Sequence, residues 1–164
     1  AAYVNEPLGI GFGQTISQPL TVAFMLELLQ AQPGDKVLDV GSGSGWQAAL
    51  IAHIVGSKGK VYALEIIPEL KAFGEQNALA AGFRNIEFIS ADGSRGVAKH
   101  APFDRIIGAA SAPEKIPPVL LEQLKPGGRI VFPVKESLVL GEKHKNSSIT
   151  LTEFPGFRFV PLVV

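Results

Sequence analysis

The run Asp39-Val40-Gly41-Ser42-Gly43-Ser44-Gly45 joins a carboxylate to glycines at alternate positions. Glycine lacks a Cβ, so such a run lets backbone approach a bound group and take turns closed to other residues. It follows the β-rich stretch Val37 to Val40 and precedes an apolar helical stretch reaching Val55. An open α/β sheet binds nucleotides at that place, just outside the carboxyl ends of its strands. A dinucleotide fingerprint, GxGxxG, needs glycines at 41, 43 and 46, but position 46 is Trp46. In that motif the last glycine lets helix and strand pack closely, which tryptophan does not. Two further carboxylates fall at strand ends. Glu65 closes the stretch Val61 to Glu65 and can accept hydrogen bonds from both hydroxyls of a ribose, although dinucleotide folds also carry an acid there. Asp92 follows Ile86 to Ser90 in Ser90-Ala91-Asp92-Gly93. Each feature has a plainer reading: a tight turn, a strand-end cap, and an Asx turn at Asp92-Gly93. Acids at successive strand ends beside a glycine loop favour one shared ligand site.

The elements that must hold these residues alternate. A glycine-rich loop fills the first 18 residues, through Gly9-Ile10-Gly11-Phe12-Gly13. A helix opens at Pro19 with Val22, Met25, Leu26 and Leu29 on one face and ends at Pro33-Gly34-Asp35. Strand, turn and helix then repeat: Val37 to Val40, Val61 to Glu65 with a helix from Pro68 to Gly82, Ile86 to Ser90, and Phe103 to Gly108. A helix opened by Pro117-Pro118 is closed by Pro126-Gly127-Gly128, before the strand Arg129 to Val134. Alternation of this kind implies right-handed βαβ units, and near-continuous apolar strands imply a parallel sheet covered on both faces. Ser137 to Leu140, Ser148 to Glu153 and Phe157 to Val160 read as strands joined by short turns. The expected fold class is α/β: a doubly wound, mostly parallel, Rossmann-like sheet with an antiparallel hairpin at its carboxyl end.

Composition removes several chemistries. The chain has 164 residues, which suits one domain. It has no cysteine, so disulfides, thiolate metal sites and cysteine nucleophiles are excluded. His53, His100 and His144 lie far apart without metal-ligand spacing such as HExxH, and no metal is expected. Fifteen basic and fifteen acidic residues cancel, giving no global field for nucleic acid or an anionic membrane. No apolar run approaches the roughly 20 residues of a membrane span, and no signal peptide opens the chain. The expectation is a cytoplasmic monomer with neither nucleic acid nor membrane as partner. The opening Ala1-Ala2-Tyr3 lacks methionine, as in a fragment or a processed chain.

The GxGxG spacing after an acid resembles the S-adenosylmethionine loop of class I methyltransferases. The run Gly11-Phe12-Gly13-Gln14-Thr15-Ile16-Ser17-Gln18-Pro19 is more specific, and closely resembles the protein-L-isoaspartate O-methyltransferase family. Val37 to Gln47, Ala101 to Ile107, Ile116 to Gly128 and Phe159-Val160-Pro161-Leu162 match that family too, in order and along essentially the whole chain. The resemblance implies methylation of the free carboxylate of isoaspartyl residues in damaged proteins and peptides. The ester then closes to a succinimide that reopens partly to aspartate. It implies S-adenosylmethionine as donor and S-adenosylhomocysteine as product. It assigns donor contacts to Gln14, Thr15, Ile16, Ser17, Asp39, Gly41, Gly43, Glu65, Asp92 and Gly93, and the essential serine to Ser17. Ala109-Ala110-Ser111-Ala112-Pro113 matches a loop beside the reacting centre.

A carboxylate is already ionised at neutral pH and a sulfonium methyl is already activated, so Ser17 reads as a hydrogen-bonding positioner. It could equally cap the helix opened by Pro19. Two rivals stand beside the leading reading: a class I methyltransferase acting on RNA or a small molecule, and a truncated module that binds the donor without turnover. The family carries a helical segment before the point where this chain starts, and its absence here is expected to weaken affinity and activity.

Overall fold

In the computed structural model, which describes residues 4–164, the chain doubles back around one central strand. The hairpin β1 (Leu8–Gly11) and β2 (Gln14–Ile16) leads into α1 (Pro19–Leu29). Then come β3 (Lys36–Val40), α2 (Trp46–Val55), β4 (Lys60–Glu65), α3 (Pro68–Ala80) and β5 (Ile86–Ser90). Two 3-10 turns, Gly93–Arg95 and Ala98–His100, precede β6 (Phe103–Gly108). The chain ends with α4 (Pro118–Glu122), β7 (Leu124–Val134), β8 (Ser137–Lys143) and β9 (Ile149–Pro155). The strand order is β5-β4-β3-β6-β7-β8-β9, parallel from β5 to β7 and antiparallel at β8 and β9. From β3 the chain builds outward to β5, then crosses back to place β6 on the other flank. That reversal opens a crevice at the carboxyl ends of β3 and its neighbours.

Strand alternation divides the core into two faces. Val37, Ile51, Val55, Val61, Ala63 and Ile107 pack together with Met25 and Leu29 of α1. Leu38, Val40, Leu64, Phe103, Ile106 and Phe132 pack on the opposite face with Leu120 of α4. Each such side chain, when fully buried, contributes about 1.5–3 kcal/mol relative to exposure. The sheet is therefore a firm base for whatever its strand ends carry.

α1 shows how sequence distant in the chain fixes a helix. Pro19 supplies the first turn, and Val22, Met25 and Leu29 are its buried face. Its last carbonyls are taken by arginines from the sheet: Arg105 Nε donates to Leu29 O at 2.9 Å and Arg129 Nη1 to Leu28 O at 2.8 Å. Cations at that end also oppose the helix dipole. The N-cap residue is Gln18, and no side chain caps the helix. Ser17 is thus one position too early to be the cap, and its alternative reading falls.

Three expectations are corrected. The opening glycine-rich segment is not simply a loop but the hairpin β1–β2, turned by three successive left-handed residues, Gly11, Phe12 and Gly13 (φ 92°, 54° and 71°). β7 starts at Leu124 instead of Arg129, running through Pro126-Gly127-Gly128 with an irregular register against β6. Phe157 to Val160 forms no strand. Gly156 turns at φ 94°, and the Phe157 ring stacks on Phe24 of α1 at 5.5 Å, which holds the segment against a helix and away from the sheet. The hairpin β8–β9 is as expected, and among the described residues no helix is long and apolar enough to cross a membrane.

Candidate active site

Hydrogen bonds to the backbone groups of the glycine loop hold its shape. Gly41, Gly43 and Gly45 are all left-handed, with φ of 83°, 49° and 77°. The N–H groups of Gly41 and Ser42 both donate to Leu64 O at 2.9 Å. Glu65, only 7% exposed, takes the Gly43 N–H on Oε2 and the Ile67 N–H on Oε1, each at 3.0 Å. One carboxylate at the end of β4 therefore ties the loop to the segment after β4.

α3 presses on the loop from behind. A Cβ added at Gly45 would lie 2.5 Å from Gly74 O, and one at Gly74 would lie 2.7 Å from Gly43 O. Asn77 Nδ2 donates to Ser44 O at 3.0 Å. The last glycine of the loop thus serves close helix approach, with Gly74 as its counterpart. Trp46, one residue later, begins α2.

Beneath the loop, Asp39 is wholly buried. Its Oδ1 accepts from Gln47 Nε2 of α2 at 2.8 Å, and its Oδ2 has no partner. Burial pushes this carboxyl up to about 7; the Gln47 hydrogen bond opposes that rise and the nearby charge of Glu65 adds to it. Asp104, at the other end of the sheet, shows the reverse balance. Partial burial raises it, but the Lys36 N–H and the ammonium of Lys125 bring it below its ordinary value.

Two cavities meet over these strand ends. A narrow cleft, open to solvent, is lined by Gly41 and Gly43 of the loop, Glu65 with Ile66 and Ile67, and Gly93. Ile10, Gln14 and Thr15 of the hairpin close one side, and Val160 to Val163 another. A wider groove is lined by Ser17, Phe24, Lys135, Glu136 and Arg158, among others. Thr15, Ala109 and Val160 belong to both walls, so the cleft and the groove adjoin there. The segment after β9 is pinned at that junction: Ser111 N–H donates to Val160 O at 2.8 Å and Leu162 N–H to Ser111 O at 2.9 Å.

Most of the expected site residues gather here, in different roles. Gln14, Thr15, Gly41, Gly43, Glu65 and Gly93 line the cleft, and Ser17 lines the groove. Ile16 lines a separate apolar cavity with Leu8, Trp46 and Phe73, which Ser17 also borders. Asp92 caps the turn Gly93–Arg95, with Oδ1 accepting from Ser94 N at 2.9 Å and Ser94 Oγ at 2.7 Å. Its Oδ2 lies 3.5 Å from Arg95 Nε, so the Asx-turn reading holds for its local bonds. Gly93 is tightly packed, and a Cβ there would run into Val40 Cγ1. Ile10, Ile66, Ile67 and Gly74 carry no site signal in the sequence, and Gln47 and Val160 to Leu162 stand out there only inside matching motifs. Among the described residues no three His, Cys, Asp or Glu side chains gather as a metal site requires.

The model of the family described as protein-L-isoaspartate(D-aspartate) O-methyltransferase (PCMT) matches residues 1–164 of this chain. The chain belongs to that family. Protein-L-isoaspartate O-methyltransferase 2 of Archaeoglobus fulgidus is 49% identical over 164 residues, covering 98% of this chain and 74% of the relative. A solved protein-L-isoaspartate O-methyltransferase superposes with a TM-score of 0.87 at 27% identity, over 97% of this chain and 53% of that one. A SAM-dependent O-methyltransferase of Thermotoga maritima superposes with a TM-score of 0.64 at 30% identity, over 71% of this chain and 44% of that one. The chain therefore spans about half the length of the isoaspartate methyltransferase solved as a structure. As a member of this family it shares the class I methyltransferase sheet, with β8 and β9 completing the antiparallel edge.

Proposed function

We propose that the chain forms one methyltransferase domain that moves a methyl group from S-adenosylmethionine to the free carboxylate of L-isoaspartyl residues in damaged proteins and peptides, a repair reaction. The observation that carries this reading is the meeting of a narrow, glycine-lined cleft with a wide groove at Thr15, Ala109 and Val160. A small donor and a polypeptide acceptor need that pair of spaces, joined where the transfer occurs.

The residues fit the donor. Gly41 and Gly43 offer a cradle without Cβ atoms, and Asp39, buried beneath them with one carboxylate oxygen unpartnered, sets a negative charge below a ligand that carries positive charge. Glu65 keeps lone pairs for ribose hydroxyls beside the two backbone bonds it already accepts. Gln14, Thr15, Gly93 and the Asp92 turn complete the donor wall. S-adenosylmethionine supplies a methyl group already activated on sulfonium.

The chain's own residues position. An isoaspartyl carboxyl with an ordinary pKa near 4 is ionised at neutral pH, so no general base is asked of the site. Ser17, on the groove side of the junction, orients that carboxylate by donating a hydrogen bond. Holding acceptor and methyl in line is the main source of rate. The test is incubation with labelled S-adenosylmethionine and matched peptides containing isoaspartate, aspartate or asparagine. A base-labile ester on the isoaspartyl peptide alone is expected; equal labelling of all three, or donor binding with no ester, overturns the reading.

A further inference from the structure

The contacts of Asp39 are unusual for an ionisable group. Its carboxyl is wholly buried, a single side chain donates to it, and its other oxygen has no partner. A buried carboxylate ordinarily needs several hydrogen bonds or a cation to stay ionised. No cation faces it. From β4 the nearby charge is that of Glu65, another carboxylate. From β6 the paired residue is Ile107, and the loop contributes Ser42 and Ser44. α2 carries no charged group before His53 in its last turn, and on α3 Lys71 and Glu75 pair with each other at 2.6 Å. Among the described residues the Gln47 amide, itself 7% exposed, is the one group that favours the ionised form. Its Oε1 is also buried without a partner.

We propose that Gln47 is a positioning residue for donor binding: its amide favours the ionised form of Asp39 beneath the glycine loop, so that affinity for the cationic donor depends on this one hydrogen bond and falls as the medium is acidified. This rests on the donor reading of the cleft. The amide suits the task because it is uncharged and can serve either form of the acid. Nε2 donates to the carboxylate, whereas the Oε1 face would accept from the protonated acid. The structure holds the first arrangement.

The sign of the pH dependence follows. Burial has already pushed the carboxyl up to about 7, against the pull of Gln47. Only the ionised form presents a full charge to the donor, so affinity is intact above that value and declines below it. Apparent affinity scales with the competent fraction, which gives about a 10-fold loss between about pH 8 and about pH 6. Removing the amide removes the one lowering influence and moves the decline to higher pH.

The test is calorimetric binding of S-adenosylmethionine from about pH 5.5 to about pH 9, without peptide, for the natural chain, Gln47→Leu and Asp39→Asn. Gln47→Leu is expected to bind about 10-fold more weakly near pH 7 and to recover to within about 2-fold near pH 9. Asp39→Asn is expected to bind weakly at every pH, with only the donor's own titration left. A Gln47→Leu loss that is equal at all pH values, or no loss, overturns the inference and leaves Gln47 a packing residue. Buffers of different ionisation enthalpy give a readout that needs no variant. Near pH 6 the donor's own amine, with an ordinary pKa near 8, is already protonated, so binding to the natural chain is expected to release close to one proton. Binding without proton release overturns the inference alone. Failure to bind at any pH overturns the donor reading together with it.

Discussion

The cleft and the groove adjoin, yet they are built by opposite means. Of the buried polar or charged residues Asp39, Ser42, Ser44, Gln47, Glu65, Gln123 and Ser137, the first five surround the glycine loop. Asp39 and Gln47 bond each other, Glu65 and Ser44 take backbone N–H groups of the loop and its flanks, and α3 is packed against the loop too tightly to admit a Cβ at Gly45 or Gly74. The groove is walled by one side of α1, the ends of β8 and β9 and the turns beside them. Its wall at Lys135 and Glu136 is fixed from outside: Lys135 N–H donates to Ala112 O at 3.0 Å, and Ser111 Oγ donates to Lys135 O at 2.8 Å. The N–H groups of Gly156 and Phe157 both donate to Glu136 O at 3.0 Å. A small ligand of constant shape can be met by rigid backbone and desolvated charge. A polypeptide of varying sequence is better met by a firm outline with adaptable side chains.

The sharpest way to break this contrast is to place a methyl group on each side. Gly45→Ala combines a left-handed backbone at φ 77° with a Cβ only 2.5 Å from Gly74 O. Together these cost on the order of 3 kcal/mol, a fall in Tm of about 6–12 °C for a chain of this size, with loss of donor binding. Gly9→Ala, in the hairpin beside the groove, meets nothing within 4 Å. It is expected to change stability by no more than about 0.5 kcal/mol. Thermal unfolding of the two variants measures the difference, and equal melting temperatures would dissolve it.

The next test separates the two sides by function. Glu65→Gln leaves one of the N–H groups of Gly43 and Ile67 facing an amide NH2 instead of a carboxylate oxygen. An unsatisfied buried donor costs about 1–3 kcal/mol, so donor Kd is expected to rise roughly 10–100-fold, with little change in kcat at saturating donor. Ser17→Ala removes a hydrogen bond to a charged group on the groove side. It is expected to lower kcat/KM for the isoaspartyl peptide by about 10–100-fold while donor Kd stays within about 2-fold. If Ser17→Ala mainly weakens the donor and Glu65→Gln mainly slows transfer, the assignment of cleft and groove is reversed.

The same division governs what could be read from sequence. The strands β3 to β6, the loop and Glu65 were legible because strand-end chemistry is local: a β-rich run, a glycine spacing and an acid stand next to one another in the chain. Gly74 was not, because its importance lies in the approach of α3 to a loop some thirty residues earlier, which no local pattern records. Gln47 was hidden for the same reason, since its meaning depends on facing Asp39 across a turn of chain. The hairpin β1–β2 looks like loop in the sequence because its strands are short and its apolar residues do not alternate toward a core; Leu8 and Phe12 remain exposed. Phe157 to Val160 misled in the other direction. Its apolar composition suits a strand, but Phe157 stacks on Phe24 and Val160 closes the cleft instead.

The smallest expected effect concerns the charges of the groove. Arg158 is paired with Glu136 at 3.3 Å, and Glu153 accepts from Ser137 Oγ at 2.7 Å. Lys135 also lines the groove, exposed and held at φ 53° by the turn that presents it, with no ion-pair partner among the described residues. An unpaired ammonium there attracts an incoming carboxylate without touching the donor. Lys135→Gln should therefore raise KM for an isoaspartyl peptide by about 2–5-fold at low salt, leave kcat unchanged, and lose its effect near 1 M salt, where the Debye length is about 3 Å. Lys135→Arg should restore the low-salt KM. A KM effect that survives high salt would mean a fixed contact in place of a long-range field, and a fall in kcat would move Lys135 from the adaptable wall of the groove to the reacting centre itself.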